Sequence, residues 1–333
     1  MTLRLSNQLV VPKHARRVAS SQTEEKNGGY AINSSSVPQQ NYFVPFQGRF
    51  SKKTVVIVHI IIVAIIAWAA VAVSNNILEG PIIITKSNFS TVFVSMGAAI
   101  NQFNPKTGVQ TLTKDTDWQR GATVLTSPID MGQDFSIALA VNLGDKDSSQ
   151  YGSDGISFFF HPDSPWDFGY PGGSLAVGGV KDAFGFKLDT YFNSQADADK
   201  GAEKGMLYSA DPPRFDRKSF GAFINTQGVN SRGEAEPQIK KGYSQVIFSN
   251  PSPQMIPAPS HNRFRDFSLH YSSKIRVLAV QYAGVTWRRN ISTWISKSTK
   301  WYFSVAATTG GGYHNMQQIR IQRCVFTPAK IGS

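Results

Sequence analysis

Two apolar periods divide this chain. Residues 55–73 are apolar, with one interruption at His59, and about nineteen such residues are enough to cross a bilayer. In lipid only a helix satisfies the backbone of such a run, so one transmembrane helix is expected over residues 54–74. Beyond about residue 84 the period changes to two. Residues 136–143 and 275–282 are rich in β-branched side chains and alternate, and clusters of Gly, Pro, Asn and Asp separate the runs. Helical period is nowhere sustained over three turns after the span, and no internal repeat is visible. An all-β fold follows for residues 84–333, as one large antiparallel sandwich. Residues 1–53 are rich in Ser, Asn, Gln, Lys and Arg with few aliphatics. They bury too little surface to offset ordering and are expected to be disordered.

Charge orients the span. Arg49, Lys52 and Lys53 precede it, while Asn75, Asn76 and Glu79 follow in a linker over residues 75–83. The positive-inside rule places the basic tail in the cytoplasm and everything after Ser74 outside, as a retained signal-anchor. The rival reading is a signal peptide cleaved near Ala70, Val71 and Ala72, which would release a secreted domain. About half of the net charge of +12 lies in the tail, where a basic segment beside a membrane is drawn to anionic lipid. Nothing matches a nucleic-acid-binding module, so no nucleic acid partner is expected. The single Cys324 cannot form an internal disulfide and reads as a buried thiol, and the six histidines lack zinc spacing.

The chemistry gathers after an apolar strand. In Gly185-Phe186-Lys187-Leu188-Asp189-Thr190-Tyr191-Phe192-Asn193, residues two apart point the same way, so Asp189 and Asn193 converge with the Tyr191 carbonyl between them. Carboxylate, amide and backbone oxygens form the cage that calcium prefers. A strand running into an Asx turn is the structural alternative. Upstream stand Tyr151-Gly152-Ser153-Asp154-Gly155 before a second apolar strand, then a glycine-rich loop over residues 169–179.

This order of motifs resembles the legume-type (L-type) lectin family, and most closely its bacterial cell-surface branch. The resemblance runs on through Asp211-Pro212, Gly221-Ala222-Phe223-Ile224 and the late stretch from Trp301 to Gly311, over roughly residues 84–328. It implies a jelly-roll, concanavalin-like sandwich that binds glycans or glycoproteins, with Ca2+ ordering the loops. By the same resemblance Asp154, preceded by a cis peptide, accepts hydrogen bonds from sugar hydroxyls, and Gly173, or its neighbour Gly172, donates a backbone N–H. Asn193 serves both sugar and ion, and the Tyr191 ring stacks on a pyranose or packs in the core. The metal set is Asp189, Tyr191, Asn193 and Asp211. The last is loosely assigned, because residues 194–218 read as an insertion that also brings Asp197, Asp199 and Asp216. Trp166, Tyr170 and Asp163 are candidates to line the pocket, and residues 227–245 and 250–261 read as surface loops.

One position departs from the plant members. They carry a glutamate two residues before the equivalent of Asp189, where it binds a transition metal, and Lys187 here has no lone pair to offer. A second metal is therefore not expected. Glycoside hydrolases share this sandwich, but the E-x-D-x-x-E run of the related laminarinase-like enzymes is missing, so the chain reads as a binder and not an enzyme. A protein-binding surface module with structural calcium is the further alternative.

Overall fold

The computed structural model describes residues 80–227, 243–296, 298 and 300–330. The expected tail, the span at residues 54–74 and the linker as far as residue 79 lie outside the described residues, as does most of the loop expected over residues 227–245. No described helix is long and apolar enough to cross a membrane.

Seventeen strands are present among the described residues. They are β1 (Ile82–Ile84), β2 (Phe93–Gly97), β3 (Phe103–Asn104), β4 (Val109–Thr113), β5 (Arg120–Leu125), β6 (Ile129–Asp130), β7 (Phe135–Asn142) and β8 (Gly155–His161). There follow β9 (Phe184–Asp189), β10 (Phe220–Asn225), β11 (Val246–Ile247), β12 (Gln254–Met255), β13 (Arg265–Ser272), β14 (Val277–Tyr282), β15 (Val285–Asn290), β16 (Lys300–Thr308) and β17 (Gln317–Phe326). One sheet has the order β15-β14-β13-β7-β17-β4-β3 with β1 also on β17; the other runs β11-β10-β9-β8-β16-β5-β2, with β12 on β10 and β6 on β16. The result is an all-β, antiparallel two-sheet sandwich.

Alternation explains the packing between the sheets. Phe135, Ile137, Leu139 and Val141 of β7, with Phe267, Leu269 and Tyr271 of β13, turn inward against Phe158, Phe160 and Phe186 of the second sheet. Phe158 stacks on Phe267 with ring centroids 3.9 Å apart. In β17 the period slips: Ile319 and Ile321 face in, a register shift follows between Ile321 and Arg323, and Cys324 and Phe326 then face in. A bulge of this kind moves the side chains that follow it to the opposite face. It buries Cys324, whose thiol is pushed up to about 12 by burial.

The second sheet is covered on both faces. Phe159, Ala122, Val124, Ala222 and Ala306 point away from the first sheet into a smaller core closed by Ala176, Val177, Val180 and Phe215. That is why β8, β9 and β10 are buried along their whole length and read as continuous apolar runs. The covering loop carries the glycine-rich stretch to the end of the sheet where the candidate site lies.

Candidate functional site

Register brings the first candidates together. Gly155 pairs with Asp189 and with Thr308, so Asp154, Asp189 and the end of β16 share one end of the second sheet. The Asp154 N–H donates to the Thr308 carbonyl at 3.0 Å, and the Thr190 N–H donates to the Asp154 carbonyl at 2.8 Å. The Ser153–Asp154 peptide is cis. The glycine loop is tied to the same strand end, because the Thr308 hydroxyl donates to the Gly172 carbonyl at 2.8 Å. Glycine is required at the next position. A Cβ on Gly173 would stand 2.6 Å from Asn193 Oδ1 and 3.0 Å from the Tyr208 ring, closer than any side chain tolerates.

Beneath the surface lies a charged floor. Lys187 and Asp189 point to the same face of β9, and Lys187 Nζ contacts Asp189 Oδ2 at 2.6 Å and Asp211 Oδ1 at 3.0 Å. The other carboxylate oxygens take backbone donors. Asp189 Oδ1 accepts from the Tyr191 N–H at 3.0 Å, and Asp211 Oδ2 from the Asn193 N–H at 2.7 Å. The Asp211 N–H returns a bond to the Asn193 carbonyl at 2.9 Å. Of the four aspartates that compete for the last metal position, Asp211 is the one buried against this group. Asp197 instead caps a helix, accepting from Ser194 N at 3.0 Å; Asp199 accepts from Gln195 at 2.9 Å; Asp216 is exposed on the surface.

The electrostatics are one-sided. Asp154, Asp189 and Asp211 bring three carboxylates to a buried region that holds one ammonium. Burial pushes the Asp154 carboxyl up to about 8, helped by the charges of Asp189 and Asp211. Burial raises Asp189 to about 7 against the opposing pull of Lys187, and Asp211 is raised likewise. Burial also opposes the charge on Lys187, but the attraction of the two aspartates outweighs it and raises its pKa. Asp154 Oδ2 is buried with no hydrogen-bond partner. Among the described residues no group of three or more His, Cys, Asp or Glu side chains takes a metal-holding arrangement. The oxygen donors on offer are instead two carboxylates, the Asn193 amide and the Tyr191 carbonyl.

Over this floor opens a cavity of about 210 Å³, lined by Asp154, Gly173, Tyr191 and Asn193 together with Gly172. All four residues assigned to sugar by the resemblance therefore meet at one place. Trp166, Tyr170 and Asp163 do not reach it. The loop that bears them folds outward, because Gly169 and Tyr170 pair with the Ala176 and Gly178 backbone and the Tyr170 ring lies against Gly179. Other residues take that place. Trp118, Tyr208, Tyr313 and the pair Gly310 and Gly311 complete the walls, with Lys200 and Lys204. The lysines come from α1 (Gln195–Glu203) and its C-cap, inside the segment read as a loop insertion. Its start was visible: Ser194 and Asp197 form a reciprocal capping box. Its sparse apolar content hid the rest.

A two-sheet antiparallel sandwich in which a glycine-rich loop and a buried aspartate meet at one end of a sheet is a lectin-type fold. Residues 84–323 match the legume lectin beta-barrel domain, and the chain belongs to that family. The serine-rich adhesin for platelets of Staphylococcus aureus strain MRSA252 is 34% identical over 271 residues, which cover 80% of this chain and 19% of that protein. The protein of the same name from strain USA300 is also 34% identical over 271 residues, covering 80% of this chain and 11% of that protein. The chain thus spans less than a fifth of these relatives. Among solved structures, peanut lectin with a 9mer peptide gives a TM-score of 0.50 at 18% identity, covering 76% of this chain and 98% of that one. The Bauhinia forficata lectin in complex with GalNAc gives 0.50 at 12% identity, over 75% and 99%. At these identities the likeness is one of fold.

Proposed function

We propose that the domain binds glycans in a calcium-dependent manner at a cell surface. The observation that carries this reading is the convergence of Asp154, Gly173, Tyr191 and Asn193 on one cavity above a floor of buried oxygens. Asp154 Oδ2 is buried without a donor, and a buried acceptor in that state favours a ligand that brings hydroxyls. The Gly173 N–H and the Asn193 amide supply donors beside it. The half-buried Tyr191 ring offers an apolar face to a pyranose.

The floor suits calcium in charge and in donor type. With all three ionised, the buried carboxylates against Lys187 leave a formal charge of −2, which a divalent ion cancels, and every group that would ligate it is an oxygen. Asp189, Asn193 and Asp211 would hold it through their side chains and Tyr191 through its carbonyl. When bound, calcium would neutralise the floor and fix the backbone from Tyr191 to Asn193 beside the sugar. Lys187 sits between the two carboxylates where plant members hold a second metal, so its ammonium stands in for that charge.

Binding is favoured over cleavage by the state of the acids. Asp189 and Asp211 are engaged by Lys187, and Asp197, though it lines the cavity, is held by Ser194 in capping α1, whereas hydrolysis needs two carboxyls working as a pair across the bond. The kinship with a surface adhesin supports an extracellular site of action. The apolar run at residues 55–73 would serve as its anchor, with cleavage near Ala72 and release as the other outcome. A glycan array probed with the full chain in calcium, in EDTA and after calcium is restored tests the reading. Reversible loss of signal in EDTA, and loss in Asp154→Ala, is the expected result; binding that ignores both would overturn it.

A further inference from the structure

A second cavity of about 410 Å³ adjoins the first. The two share Tyr191 and Tyr313 as a common wall, and the second is completed by Ser148, Tyr151, Phe192, Asp216 and Arg217. The three tyrosines form a row. Tyr191 and Tyr313 meet edge to face with centroids 4.9 Å apart, and Tyr313 and Tyr151 lie 5.2 Å apart. Tyr151 at the far end is 62% exposed, and Trp118 on the opposite rim of the first cavity is 54% exposed.

Both exposed rings sit on backbone that bulky residues rarely adopt. Trp118 has φ of 53° and Tyr151 has φ of 66°, in the left-handed region where a side chain meets its own carbonyl. Such a conformation persists when surrounding bonds fix it, and it marks places where function constrains the chain. Tyr151 closes the short helical turn at residues 148–150, where the Gly152 N–H donates back to the Asp147 carbonyl at 2.8 Å, and one further loop ties both rings in place. The Trp118 N–H donates to Gly310 at 3.0 Å, the Gly312 N–H donates to Asp117 Oδ1 at 2.9 Å, and the His314 N–H donates to the Tyr151 carbonyl at 2.8 Å. Ser153 Oγ donates to the Tyr313 carbonyl at 2.5 Å, and Asn315 Nδ2 to the Lys146 carbonyl at 2.8 Å. Residues 310–315 thus hold Trp118, Tyr151 and Asp154 in one frame.

We propose that the site takes an oligosaccharide of at least two rings, with the terminal ring over Asp154 and the next ring in the second cavity against Tyr151. This rests on the glycan-binding reading above. Tyr151 supplies a stacking face, as aromatic rings do for pyranoses, while Arg217, Asp216 and Ser148 offer the donors and acceptors that hydroxyls require. Tyr191 and Tyr313 form the ridge over which the glycosidic bond passes. Tyr151 is then a specificity-determining residue that acts on the second ring and is silent toward the first.

The test pairs single rings with disaccharides that carry them at the terminus: galactose with lactose, mannose with α-mannobiose, and N-acetylgalactosamine with a disaccharide ending in that ring. Each is titrated calorimetrically into the full chain in calcium. For the pair that binds, the disaccharide is expected to be about tenfold tighter, equivalent to about 1.4 kcal/mol. Tyr151→Ala should remove that advantage and leave single-ring affinity unchanged; Tyr151→Phe should keep most of it. Melting temperatures of both variants should match wild type, since the ring is exposed. Equal affinity for one and two rings, or an advantage that survives in Tyr151→Ala, overturns the second subsite and leaves the primary reading intact. No binding by any sugar sinks the primary reading and this inference with it.

Discussion

Two lysine–carboxylate clusters in this domain share the same shortest contact and differ in what surrounds it. Lys187 meets Asp189 at 2.6 Å, and Lys146 meets Asp115 at 2.6 Å. The first pair is 1% and 2% exposed; the second is 24% and 46% exposed, with His314 at 2.6 Å from the same carboxylate. In the buried cluster each charge is cut off from water, and carboxyl groups are driven up by burial. In the exposed one slight burial is outweighed by the hydrogen bonds from Lys146 and His314, which hold Asp115 below the usual range. Contact length therefore says little about energy, and access of water decides it. The buried cluster gathers three carboxylates around one ammonium, whereas the exposed one latches the loops that hold Trp118 and Tyr151.

Removing each lysine exposes the contrast most sharply. Lys187→Met leaves three buried carboxylates without a cation, and urea denaturation in EDTA should show a loss of about 3–5 kcal/mol. A loss under about 1 kcal/mol would mean that water or protonation already neutralises the floor.

Histidine gives the next contrast. His161 is buried, with Nε2 at 2.9 Å from Ser304 Oγ, and burial holds its imidazole down at about 4 against an ordinary 6.5. Between those values the unfolded chain takes up a proton that the folded one refuses. Stability should thus fall as pH drops from 6.5 through 4, by about 3 kcal/mol in all. Denaturation curves of wild type and His161→Phe at several pH values isolate this share of the slope. Identical slopes would contradict the assignment.

The smallest effect is expected at the exposed cluster. Lys146→Met should change stability by less than about 1 kcal/mol, and the difference should shrink further in high salt. A larger, salt-resistant loss would show that the latch is energetically part of the core.

The sequence made these regions legible to different degrees. Alternation along residues 136–143 and 275–282 marks β7 and β14, because one face of β14 and of the first half of β7 packs in the core while the other is more open, although β7 is buried on both faces from Leu139 on. The spacing of Asp189, Tyr191 and Asn193 is local, so strand geometry alone brings it to one point. Asp211 is distant, and its place depends on the paired bonds with Asn193. Trp118 and Tyr313 carried no signal, since loops far apart in the chain deliver them and no period links them. Trp166 and Tyr170 misled for the opposite reason. Their closeness to the glycine loop in sequence suggested the pocket, while the backbone bonds of Gly169 and Tyr170 turn them outward.

On the proposed reading, the buried oxygens around Asp189 hold the ion that organises a cavity whose sugar contact is Asp154. The decisive measurement is calorimetric titration of calcium into the full chain after stripping with EDTA. Wild type and Asp154→Ala should each bind a single calcium ion, and Asp189→Ala none. Absence of calcium binding in wild type, or its loss in Asp154→Ala, would contradict the account.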